Sequence, residues 1–147
     1  MIPKNEIQKL AINLETDGKR RFYLTVDSEG YISRKGTGRM IDDNDDVYIG
    51  RTSEPLFKKL LFTIGESLLR CAGGVFKIDS GHDVPCRLTI LLGTKNKAEA
   101  IVFEYGYQSG LPDDVRDFLK TALELTEPWY QHQKKYIQEV NRLNNPV

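Results

Sequence analysis

An α+β fold, built on a mainly antiparallel sheet of about six strands with two to three helices packed on one face, is predicted by three observations. Apolar residues alternate with period two in two groups of segments, at 7–49 and 75–107. Short turns rich in Gly, Asp and Asn separate neighbours within each group, the connection that antiparallel strands need. Helical periodicity is confined to 54–72 and 112–143, between and after the strand groups, so helices do not alternate with each strand as a parallel sheet requires.

In the first group Leu10, Ile12 and Leu14 share a face, as do Phe22, Leu24 and Val26, and the Asp17-Gly18 pair between them suits a tight reverse turn. Asp27-Ser28-Glu29-Gly30 then leads into Tyr31-Ile32-Ser33-Arg34, a short, more polar strand expected near an edge. Its unpaired backbone would permit a homodimer. Gly36, Gly38 and the acidic run Asp42-Asp43-Asn44-Asp45-Asp46 offer little to bury and predict a loop before a brief strand at Val47–Ile49.

Ser53 as N-cap, Glu54 and Pro55 in the first turn, and the stripe Leu56, Leu60, Ile64 and Leu68 predict a helix over 54–72, stopped by Gly73-Gly74. Val75 to Ile78 reads as a strand. Cys86 to Tyr107 reads as a hairpin at the centre of the sheet, turning at Gly93-Thr94-Lys95-Asn96-Lys97. A helix begins near residue 112 with acidic residues in its first turn and an apolar face of Val115, Phe118, Leu119, Ala122 and Leu123. Glu127-Pro128 is expected to interrupt it, with Trp129 to Leu143 continuing as a third helix.

The 147 residues suit one domain, 1–147, a size that buries about 70% of the surface its unfolded chain exposes. Lys plus Arg and Asp plus Glu are both 21, so no net charge draws the whole chain to nucleic acid or membrane. No segment has signal-peptide character or approaches the roughly 20 apolar residues of a membrane span, and a cytoplasmic location with no membrane partner is expected. Two cysteines, Cys71 and Cys86, do not make a disulfide framework.

Asp42, Asn44 and Asp46 match the first three ligand positions of an EF-hand loop. Val47 and Ser53 then stand where the turn glycine and the bidentate glutamate belong, so no metal is expected. His82, Asp83 and Cys86 are close in sequence, but their spacing, with or without Cys71, matches neither paired zinc ligands nor a recognised nucleophile motif. Gly36-Thr37-Gly38 lacks the third glycine and the immediate helix of a dinucleotide fingerprint, and no cofactor is indicated.

Three groups remain as contact surfaces. The acidic residues Asp42, Asp43, Asp45 and Asp46 suit a basic partner, and the aromatic residues Trp129, Tyr130 and Tyr136 suit a protein interface. Lys19, Arg20, Arg21, Arg34, Lys35 and Arg39, interleaved with Tyr23 and Tyr31, suit a nucleic acid.

Residues 23–30 (Tyr23 through Gly30), the Gly36-Thr37-Gly38 loop, residues 83–90 and Gly110-Leu111-Pro112 resemble the punctuation of small uncharacterised bacterial domains ordered meander, helix, meander, helix. From Leu88 to the Leu111-Pro112 helix start the chain is also similar to emfourin-type inhibitors of metalloproteases. These carry a glycine-rich hairpin near the N-terminus, where this chain has Glu15-Thr16-Asp17-Gly18. The expectation is a non-enzymatic protein-binding domain: an inhibitor, an immunity-type protein or an assembly subunit. The alternatives are a nucleic-acid-associated protein acting through Lys19–Arg39 and a small enzyme using His82 and Cys86.

Overall fold

The computed structural model describes residues 2–39, 46–79, 81–108 and 110–144. Its strands are β1 (Lys9–Thr16), β2 (Lys19–Asp27), β3 (Tyr31–Lys35), β4 (Tyr48–Arg51), β5 (Val75–Lys77), β6 (Pro85–Gly93) and β7 (Ala98–Gly106). Helices α1 (Leu56–Phe62) and α2 (Glu66–Leu69) fall between β4 and β5, and α3 (Asp113–Asn144) closes the chain. The seven strands form one sheet in the order β4-β3-β2-β1-β6-β7-β5. Every pairing is antiparallel except β5 with β7.

Alternation sorts each strand into an inner and an outer face. Leu10, Ile12, Leu14, Phe22, Leu24, Val26, Ile32, Leu88, Ile90, Leu92, Ile101 and Phe103 are all buried and share one core with Leu56, Leu60, Ile64 and Leu68 and with Val115, Phe118 and Ala122 of α3. The Asp17-Gly18 turn takes positive φ at both residues, as a two-residue hairpin requires. Asp27 Oδ1 accepts from the N–H groups of Glu29 and Tyr31, closing the next turn through its side chain.

Four expectations change. The middle strand is β1, and the 86–107 hairpin lies beside it. β3 is not an edge: it pairs with β2 and β4, so the edges are β4 and β5. The helix expected over 54–72 is two short ones, starting at Leu56 with Pro55 rather than Ser53 in the cap position. Thr63 Oγ1 donates back to the Leu60 carbonyl, Lys4 Nζ caps the carbonyls of Phe62 and Ile64, and extended Gly65 starts α2. Ile64 still reaches the core through this break.

The last change is that Pro128 does not divide α3. A proline there leaves the Glu124 carbonyl without its helix donor. Both residues lie on the exposed side, open to solvent, while Thr126 and Tyr130 on the other side are fully buried. Packing on either side of the proline carries the helix across it.

Candidate binding face

Among the described residues Arg34 is the one cation drawn completely inside, at 0% exposure. Inner-face position on β3 places its guanidinium under α3. There it donates to Glu127 Oε2 (2.6 Å), Thr126 Oγ1 (2.9 Å), the Leu123 carbonyl (3.1 Å) and the Gly36 carbonyl (3.3 Å). It also lies over the rings of Tyr130 and Phe22, 4.5 and 5.1 Å from their centroids. Burial lowers its pKa, opposed by the charge and hydrogen bond of Glu127. Burial raises the Glu127 carboxyl, but hydrogen bonding from Gln131 and the charge and hydrogen bond of Arg34 outweigh it and hold that carboxyl below its ordinary range. Tyr130, also 0% exposed, accepts the Gly36 N–H at 3.0 Å.

These contacts correct two readings. Arg34 is a clamp between sheet and helix, with no face left for a phosphate. Tyr130 belongs to the same clamp and is closed to a partner. Arg21 is the extra residue of a bulge in β2, opposite Leu14 and Glu15 of β1, and is buried to 9% exposure. Trp129 is half-buried against the core and β4, with Gly50 under the edge of its ring. Tyr136 stands 59% exposed on a stretch of α3 beyond its last buried residue. Asp46 is exposed ahead of β4, Arg39 is exposed beyond Gly38, and Asp42, Asp43 and Asp45 lie outside the described residues.

His82 is exposed in a turn, whereas Cys86 is buried at the start of β6 with its sulfur near Thr16 Oγ1. Burial pushes the Cys86 thiol up, helped by the Asp83 charge, the opposite of what a nucleophile needs. Cys71 and Cys86 are both free, and the Cys71 thiol is likewise raised by burial and by Asp114. Among the described residues no group of three or more His, Cys, Asp or Glu side chains is placed to hold a metal ion. No described helix is long and apolar enough to cross a membrane.

The remaining basic-cluster residues lead to the outer face of the sheet. Arg20, Tyr23 and Lys35 meet there: Arg20 covers the Tyr23 ring at 4.9 Å, and Tyr23 stands opposite Lys35. Tyr31 is at the far end of β3, paired with Arg51, whose guanidinium covers its ring at 4.6 Å. One face of each of these two rings is thus already covered by a cation of the same chain.

Register arranges this outer face in rows. One row reads Arg20 (β2), Glu15 (β1), Arg87 (β6) and Glu104 (β7), with Lys77 of β5 beyond, so the charge sign alternates across the sheet. The next row holds Tyr23, Asn13, Thr89 and Val102, and the one after it Thr25, Ala11, Leu91 and Ala100. A last row carries Asp27 and Lys9, ending at Gly93 and Ala98. The floor of the face is therefore small and uncharged between two charged rows. Sequence reasoning singled out Arg20, Tyr23 and Lys35, but not Ala11, Glu15, Arg87, Leu91 or Glu104. Only register brings those together, although the period-two pattern already assigned their side of each strand.

No family model matches this chain, and no curated protein matches it.

Proposed function

We propose that this chain is a non-enzymatic protein-binding domain that meets its partner through the outer face of its sheet. The observation that carries the reading is the pairing of an uncharged floor (Ala11, Thr25, Thr89, Leu91, Ala100, Val102) with charged rows on either side. Protein interfaces have this form: a core depleted of charge within a polar rim. On the four central strands Lys9, Arg20 and Arg87 balance Glu15, Asp27 and Glu104, three against three. A nucleic-acid surface needs a basic excess there. Inhibitor, immunity protein and assembly subunit all remain uses of such a face. The Arg20, Tyr23 and Lys35 cluster at its margin supports nucleic acid as the second reading.

The test is affinity capture from native lysate by the tagged chain, with and without nuclease, beside Leu91→Arg. Leu91 is half-buried in the middle of the floor, on the outer side of β6, so the charge blocks docking while a matching thermal melt shows the fold intact. A stoichiometric protein that survives nuclease and is lost with Leu91→Arg is the expected result. Recovery that depends on nucleic acid, or is unchanged by Leu91→Arg, refutes the reading.

A further inference from the structure

We infer that the protein covering the outer face is a second copy of this chain, packed sheet on sheet about a two-fold axis that runs along the strands between β1 and β6. The inference rests on the binding-face reading and deepens it. It comes from the alternating row. A two-fold in that position sets β1 of one copy over β6 of the other and β2 over β7. Glu15 then faces the partner's Arg87, Arg87 faces the partner's Glu15, Arg20 faces the partner's Glu104, and Glu104 faces the partner's Arg20. All four charges meet opposite charges, which a row of one sign could not do.

The rows between them also match under the same axis. Ala11 faces the partner's Leu91 and Tyr23 faces the partner's Val102, itself only 7% exposed, so a larger side chain meets a smaller one in both pairs, and Asn13 faces the partner's Thr89. Thr25 meets the partner's Ala100, and neither β-branching nor length obstructs the roughly 10 Å separation of stacked sheets. The residues of β3, β2, β1, β6, β7 and β5, at about 4.8 Å strand spacing and about 3.3 Å rise, give a footprint of roughly 680 Å² per copy before side-chain relief. That is near the ~800 Å² per partner of a standard interface. The four central strands carry no net charge, and Lys35 of β3 and Lys77 of β5 add positive charge only at the margins.

Sedimentation equilibrium of the full chain, with Glu15→Arg and Arg87→Glu, tests this. The wild type is expected as a dimer, and each variant as a monomer with Kd raised about a hundredfold, because each reversal sets two like-charge contacts across the axis. An equimolar mixture of the two variants is expected to dimerise again: every cross-axis contact in the mixed dimer joins Arg to Glu, while each chain's own Glu15–Arg87 neighbour pair stays broken. Repair inside one chain therefore cannot produce the rescue. Should either variant fail to fold by circular dichroism, Arg20→Glu and Glu104→Arg make the same exchange. A wild type that stays monomeric at several hundred micromolar overturns the inference, as does a mixture that stays monomeric. Rescue of Glu15→Arg by Lys9→Glu in place of Arg87→Glu also overturns it, since that pairing requires a two-fold across the strands. A monomeric wild type that still captures another protein, with loss on Leu91→Arg, refutes the self-pairing alone. Loss of both results refutes the binding face as well.

Discussion

Removing either half of the Arg34–Glu127 pair should destabilise the fold unequally. Arg34→Met keeps the apolar stem but withdraws the donors from the Leu123 and Gly36 carbonyls and from Thr126. Each buried acceptor left unsatisfied costs about 1–3 kcal/mol, and relief of the buried guanidinium's desolvation returns part of that. Glu127, whose side chain is 43% exposed, regains water when its partner goes. The expected net cost is about 2 kcal/mol. Glu127→Gln instead leaves a guanidinium at 0% exposure without its counter-ion, and about 3 kcal/mol is expected. The double variant should cost less than the sum, with a coupling of about 1–2 kcal/mol.

Urea unfolding followed by circular dichroism and Trp129 fluorescence measures all three, and each kcal/mol should lower Tm by about 2–4 °C. Because the native Glu127 carboxyl lies below its ordinary range, its contribution is present above that range and is lost as pH falls through the lowered native value. Glu127→Gln should therefore flatten the acid limb of the stability curve. Single costs under about 0.5 kcal/mol, adding without coupling, would refute the clamp.

Two further outcomes follow from the same structure. Gly36→Ala should cost more than about 3 kcal/mol or prevent folding, because φ is +86° and the new Cβ would lie 2.3 Å from the Arg21 carbonyl oxygen; Gly81→Ala, at φ +56° with nothing within 4 Å, should cost about 1 kcal/mol, and equal melts of the two would contradict the account. With a disulfide reagent near neutral pH, Cys71 should react before buried Cys86, both slowly and faster as pH rises, and both at once in denaturant; a fast-reacting Cys86 in the native protein would restore the enzyme reading.

Period-two and helical patterning sufficed for the α+β class, the inward set on each strand and the turns at Asp17-Gly18 and Asp27–Gly30, because side-chain alternation and positive φ are local properties. The sequence by itself also determined that Ala11, Glu15, Arg87, Leu91 and Glu104 fall on the outward side of their strands. Three things were decided only by tertiary structure. Pro128 stays within one helix because Arg34 and the buried Thr126 and Tyr130 fix α3 on both sides of it, an override of local propensity by packing. Arg34, one cation among six in a basic-looking stretch, goes inside because its inner-face position happens to meet Glu127, 93 residues away in sequence. The alternating row exists because pairing sets β6 beside β1 and β7 beside β6. Strand order and register are long-range choices, and one residue of slip would send every one of these side chains to the other face.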